Sequence, residues 1–530
     1  MKIRKLFSLL YFLWILLATP SDAIAQVDSV FVGYHMDSTR VMVPSMRFGK
    51  SIYDISVSPT QDFMLITFGE CDKNGIWERE GHVGGYEIKE GRLRWMKETN
   101  LSNTRFECTP YGVLMRTNNK TSLFQTLSGE EIWSNDYYTI YTNDSIDLAL
   151  SYKSLTSSKL IATRLSTGEQ LWENKLPHKY GWQDIVATDS IHRLIVADDI
   201  CGVNIQTGEM KIHKAKTGKP DTQSILVQAM AGVAGGLIGG MIAGGMIAGG
   251  TTSYYMPPLI SPNVITGLCS SIIEADSCYY VADRDGVTCF NNQFDVVWEM
   301  DLADNLCSNS RLYVKDTCLY MINHGFGLRN GTQQIKNGRP FIATFDKRNG
   351  DLLDIVHLKA KRDIIESSFL VNDHAYLLFD DGLAYQALTD SEVNISTWDK
   401  KEYGKLESML PYTLYAYNAN EQIFLPISYD GINCPVLTDD SRVFIINERM
   451  QIREEYQADI LYKPIYQHDD YLIVQGTGRR SKDCWFIHHL GMPLLHILPS
   501  VYDIALIENK LLLVSHNQIL IVDIKDIIKN

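Results

Sequence analysis

Few residues of this 530-residue chain stand at spacings that could do chemistry. His488 and His489 are the only close pair among 13 histidines, and two imidazoles can share a divalent metal. Neighbouring residues of a strand point to opposite faces, however, so the pair predicts no joint site. The ten cysteines include no adjacent pair and no C-x-x-C, which leaves a redox centre or zinc ribbon without support. Cys269, Cys278, Cys289, Cys307 and Cys318 crowd together, where an exported chain has the opportunity for one or two bridges. The expectation for most cysteines is a small buried hydrophobe. The basic, glycine-rich stretch from Gly325 to Arg339 lacks the strand-to-helix context of a phosphate loop. It reads as a long inter-strand loop from which Arg329 or Arg339 could meet an anion. Tyr180 and Trp182 are aromatic surfaces of the kind that stack on sugars, although packing is their commoner use. The chain thus yields no catalytic residue, no cofactor-binding residue and no metal ligand.

The elements that would position such groups are far more legible. Gly91 and Trp95 are followed by Gly129 and Trp133, then Gly168 and Trp172, then Gly208 without its tryptophan, at steps of 38, 39 and 40 residues. Each unit reads as short strands around a turn. In the third, Lys159 to Arg164 is strand-like, Leu165-Ser166-Thr167-Gly168 is turn chemistry, and Gln170-Leu171-Trp172 begins the next strand. A tryptophan past the turn can fill the gap between neighbouring sheets. Later copies are degraded: Trp298 follows Phe294 where a glycine is expected, and Gly350 lacks its tryptophan. No unit carries a long apolar pattern of period 3.6, and about forty residues suits a four-stranded blade. The prediction is an all-β protein, a β-propeller of four-stranded blades.

The T-G-x-x-x-W pattern, preceded by a strand ending near Leu165 or Ile205, resembles the PQQ-like β-propellers. That superfamily includes quinoprotein dehydrogenases and the non-enzymatic BamB-type outer-membrane assembly scaffolds. The resemblance is strong over residues 60–215 and thinner over 277–525. It implies seven or eight blades, and the repeats favour eight, with the strands from Leu511 to Ile524 closing the ring against the N-terminal region. A quinoprotein dehydrogenase should also show vicinal cysteines and a calcium site of Glu and Asn beside a catalytic Asp. The vicinal pair is absent, so the resemblance stops at the scaffold and implies no cofactor and no enzyme.

The N-terminus has the three parts of a secretory signal: basic Lys2, Arg4 and Lys5, apolar Leu6 to Leu17, and the small-x-small site Ala23-Ile24-Ala25. Residues 1–25 are read as a signal peptide and no cysteine marks a lipoprotein, so the mature chain is expected to be periplasmic or outer-membrane-associated. With 63 acidic against 49 basic residues the net charge is −14, which disfavours nucleic acid. The run Lys211, His213, Lys214, Lys216, Lys219 is a local exception that reads as a solvated loop. Asp28-Ser29-Val30, Asp37-Ser38-Thr39, Asp144-Ser145-Ile146 and Asp189-Ser190-Ile191 resemble a short bacterial O-glycosylation sequon.

One segment belongs to no blade. It divides the propeller into a first part, 26–220, and a second, 276–530. Within 221–275, the centre reads AGVAGGLIGGMIAGGMIAGG, with Gly232, Gly236, Gly240 and Gly244 four apart and Gly249 four beyond Gly245. Small residues at that spacing let helix backbones approach closely, and the run is similar to glycine-zipper segments of envelope proteins. In water each helical glycine costs about 1 kcal/mol relative to alanine, so such a helix needs a surface, a copy of itself or lipid. Ile225 to Gly250 would extend about 39 Å as one helix, enough for a bilayer core. Flanking blades of one ring must lie on the same side of a membrane, which argues against a single crossing. A hairpin dipping into a membrane or partner, a self-association element and a loop over the propeller are the remaining readings, with Tyr254, Tyr255 and Met256 as interfacial anchors under the first.

The function expected is an exported, non-enzymatic binding scaffold of the bacterial envelope, docking to a membrane or partner protein through residues 225–256. A quinoprotein-like enzyme or small-ligand binder using the central funnel is one alternative, and a surface carbohydrate-binding propeller another.

Overall fold

The computed structural model describes residues 26–528 apart from 73–76, 222–262, 304–305, 359–363, 372–373, 380–381, 389–394, 411–412, 428–432, 448, 450, 458–459, 469, 478–482, 499 and 502. Residues 1–25, expected to be a signal peptide, and Gly232, Gly236, Gly240, Gly244, Gly249, Tyr254, Tyr255 and Met256 lie outside the described residues. Two compact units divide the chain: Met1–Asn135, Leu414–Ile427 and Asp459–Asn530 make one, Asp136–Thr413 and Ser428–Ala458 the other. Both are built of antiparallel strands, as the repeats predict.

The first unit holds two four-stranded sheets, within residues 51–100 and 105–135, and one sheet of eleven strands. In the large sheet the N-terminal strand Arg40–Arg47 pairs with Gln518–Asp523, Ser45 opposite Leu520, so the two ends of the chain are joined by backbone hydrogen bonds. Val32, Val43, Leu495, Leu513 and Leu520 bury one core across this junction.

The second unit holds seven four-stranded sheets. Six lie within residues 138–175, 184–213, 273–301, 310–357, 365–397 and 406–457. Their middle strands are nearly continuous apolar runs: Leu148–Tyr152 is buried at every position, whereas the outer strand Gln170–Lys175 is mostly exposed. Burial of both faces explains why hydrophobic alternation is weak in the sequence. Among the described residues there are nine separate four-stranded sheets and one of eleven strands, and the sheets within 365–397 and 406–457 form without a glycine–tryptophan signature.

Where that signature exists, its physical role is visible. Gly129, Gly208 and Gly350 have φ of +68°, +80° and +78°, a region that a side chain would strain. Each amide donates to the carbonyl four residues earlier, closing the turn. Each turn also supports a tryptophan from the preceding sheet. Trp95 lies on Gly129, Trp172 on Gly208 and Trp298 on Gly350, so close that a Cβ would fall 2.4–2.8 Å from the ring. Their indole N–H groups donate to the carbonyls of Thr126, Ile205 and Lys347 at 2.8, 2.9 and 3.0 Å. The tryptophan is therefore a clasp between successive sheets. Phe294 adopts φ of +63° in a turn where the signature would have glycine, and its ring packs on Gly202.

Candidate functional site

The seventh sheet of the second unit joins two hairpins that are distant in sequence. Its strands are Lys219–Pro220, Val264–Thr266, Phe326–Arg329 and Gln333–Lys336, in that spatial order. The first two flank the glycine-rich segment, and the last two come from the basic stretch read as a loop. Pro220 pairs with Val264, and the Asp221 amide donates to the Asn263 carbonyl at 2.8 Å. Residues 222–262 thus leave and return at hydrogen-bonded neighbours.

The base of this segment is locked by charge. Arg329 Nε lies 2.5 Å from Asp221 Oδ2, with Asp221 only 2 % exposed. The anion foreseen for Arg329 is therefore a carboxylate of the same chain, whereas Arg339 is exposed. Asn330 Oδ1 accepts from the Asn263 amide at 2.9 Å, and Lys219 Nζ donates to Asn337 Oδ1. Breaking a buried ion pair from one side is costly, so this pairing helps to hold the two sequence-distant hairpins in one geometry.

Beside this sheet is a cavity of about 290 Å³ lined by Tyr180, Gln183, Thr266, Asn309, Arg311 and Leu328 among others. Most of its polar wall is already satisfied. Gln183 Oε1 accepts from the Gly267 amide and its Nε2 donates to Thr217, while Asn309 Nδ2 donates to the Gly267 carbonyl. Arg311 donates to the Ser368 carbonyl and is otherwise exposed. Burial raises the Tyr180 phenol above its usual range. Trp182 is 2 % exposed and donates to Tyr152 Oη at 2.9 Å, so it is a packing residue and offers no sugar platform. Nearby, His324 is buried with Nε2 2.7 Å from Ser368 Oγ; burial first, and Arg311 second, push its pKa down to about 3.

The remaining sequence features disperse. The basic run is neutralised by acids: Lys211 meets Asp295 at 2.6 Å, Lys214 meets Asp199 at 2.7 Å, His213 lies 3.5 Å from Glu299, and Lys216 pairs with Asp285. All ten cysteines are free thiols, seven of them buried. His488 ends the strand Cys484–His488 and His489 begins the turn, so the strand alternation expected to separate them does not apply; their rings are 4.3 Å apart. Sequence reasoning missed Asp221 and Asn337, whose only signal was their position at the flanks of unusual segments. Among the described residues no helix is long and apolar enough to cross a membrane.

No known protein family matches the chain, and no curated protein does. Among solved structures, BamB from Moraxella catarrhalis is 13% identical, over 70% of this chain and 93% of its own, with a TM-score of 0.32. The computationally designed Ika8 protein is 8% identical over 75% and 96%, with a TM-score of 0.31. Hsv2 from Kluyveromyces lactis is 9% identical over 65% and 95%, with a TM-score of 0.28.

Proposed function

We propose that this chain is an exported, non-enzymatic β-propeller-type scaffold of the bacterial cell envelope that docks to a membrane or partner protein through its glycine-rich segment. The observation that carries the reading is the spliced sheet. The uncharged segment leaves and returns at Asp221 and Asn263, neighbours held by backbone bonds and by the Asp221–Arg329 pair. A segment displayed from such a base can engage a second surface without disturbing the sheets beneath it. The signal-like N-terminus and the absence of vicinal cysteines support export and a non-enzymatic role. Purified protein should float with lipid vesicles or envelope membranes, and deletion of residues 228–250 should abolish flotation while leaving the circular dichroism and melting transition intact. Flotation unchanged by the deletion would remove the docking role.

A second reading rests on the cavity beside the sheet, whose Tyr180 phenol and Arg311 guanidinium suit a small polar or anionic ligand. A ligand bound only to the folded state raises the melting temperature by mass action. A shift with a small carboxylate or sugar, lost in Arg311→Ala, would favour it; pyrroloquinoline quinone with Ca²⁺ tests the quinoprotein alternative in the same assay.

A further inference from the structure

The first unit carries a cluster that neither the repeats nor the docking segment explains. Asp470, His488 and His489 each offer one ligand atom, and these atoms lie within 4.8 Å of one another; it is the only such group of three among the described residues. We propose that these residues form a surface site for a borderline divalent transition metal, Zn²⁺ or its close analogues Co²⁺ and Ni²⁺.

The chemistry of the donors selects this class. Two imidazoles and one carboxylate match zinc-type ions, whereas Ca²⁺ and Mg²⁺ require mostly oxygen. Three protein ligands leave a position for water or for a donor from another molecule.

The backbone holds the donors in place. His489 N–H donates to the Asp470 carbonyl at 2.7 Å, tying the two turns together. His488 N–H donates to the Met492 carbonyl and its own carbonyl accepts from Gly491, both at 2.8 Å. Gly491 has φ of +88° and takes the Phe424 amide on its carbonyl at 2.9 Å; a Cβ there would sit 1.8 Å from the Phe424 oxygen. This turn cannot shift without breaking those contacts, so the imidazoles are presented together by design of the backbone. His489 Nδ1 already lies 3.7 Å from Asp470 Oδ1. Ligand atoms around a tetrahedral zinc lie about 3.3 Å apart, given metal–ligand bonds of about 2.0–2.1 Å. Side-chain rotation alone can close that difference, because His489 and Asp470 are 46% and 73% exposed.

One existing bond must yield. The Leu490 amide donates to His488 Nδ1 at 3.2 Å. Metal at Nδ1 displaces it directly; metal at Nε2 requires the ring proton on Nδ1, which also ends the bond. The Leu490 amide is therefore an internal reporter.

The test is titration of metal-stripped full-length protein with Co²⁺, followed by its visible d–d absorption and by the Leu490 amide resonance, with Zn²⁺ as competitor. The expected result is one bound equivalent displaced by Zn²⁺, a shifted Leu490 amide, and affinity weakened at least about tenfold in His489→Ala and in Asp470→Asn. His516→Ala, at an exposed histidine elsewhere in the chain, should bind as the native protein does. Absence of a bound equivalent, or binding that survives both substitutions, overturns the site. So does an equal loss in His516→Ala, which would show dispersed surface binding.

Discussion

The tryptophan-clasped sheets and the spliced sheet whose strands flank the glycine-rich segment have the same four-stranded form and different means of cohesion. In the clasped sheets an indole seated on a positive-φ glycine joins one sheet to the next. In the spliced sheet two hairpins distant in sequence meet, and a buried carboxylate–guanidinium pair with polar side-chain bonds holds them. Apolar clasps suit a repeating scaffold, since burial is non-directional and accumulates with area. A charge pair adds less net stability but fixes one geometry at the point where residues 222–262 leave and return.

The sharpest way to break the comparison is to remove a clasp. Trp298 is 8 % exposed, and Trp298→Ala should cost about 3–5 kcal/mol in denaturant unfolding. A loss under about 1 kcal/mol would mean that the indole only covers the turn. Acid probes the polar side. His324 is held neutral with its folded pKa at about 3 against about 6.5 unfolded. Between these values the unfolded chain binds the extra proton, so stability falls as pH falls, by about 2–3 kcal/mol from pH 6.5 to 4.5. His324→Gln should flatten that slope in pH-dependent urea melts, and an unchanged slope would assign it to other groups.

Breaking the charge pair should have a smaller and more local effect. Asp221→Ala is expected to cost about 1–3 kcal/mol, because Arg329 is 25% exposed and regains some water. Hydrogen exchange should quicken at Asn263 and Asp221 while the tryptophan-clasped sheets stay protected. Protection lost uniformly would show that the spliced sheet is integral to the scaffold. The smallest effect is expected on restoring the missing tryptophan. Ile212 is 46% exposed and the turn it would face carries Phe294 in place of glycine, so Ile212→Trp should change stability by no more than about 0.5 kcal/mol. A gain of 2 kcal/mol would show that the clasp needs no glycine seat.

The same contrast explains what the sequence discloses. Trp95, Gly129, Trp172 and Gly208 reveal their role because turn, strand and clasp lie within one forty-residue period. The pairing of Ile265 with Arg329 joins segments more than sixty residues apart, and no local pattern announces it. Arg329 was legible as a cation in search of an anion, but Asp221 was hidden among turn-like residues. The expectation that His488 and His489 point to opposite faces fails for a related reason: strand alternation governs neighbours only inside a strand, and this strand ends between them. Trp182 takes the packing role that is the commoner use of such a ring, donating its N–H to Tyr152 Oη.

The central claim is that the spliced sheet presents residues 222–262 as the docking element. Envelope fractionation of the native protein beside a variant lacking residues 228–250, with high-salt and carbonate washes, tests it most directly. The account predicts that the native protein stays with the membrane fraction through both washes and that the variant is released. Equal release of both forms would contradict it and move attention to the cavity beside the sheet.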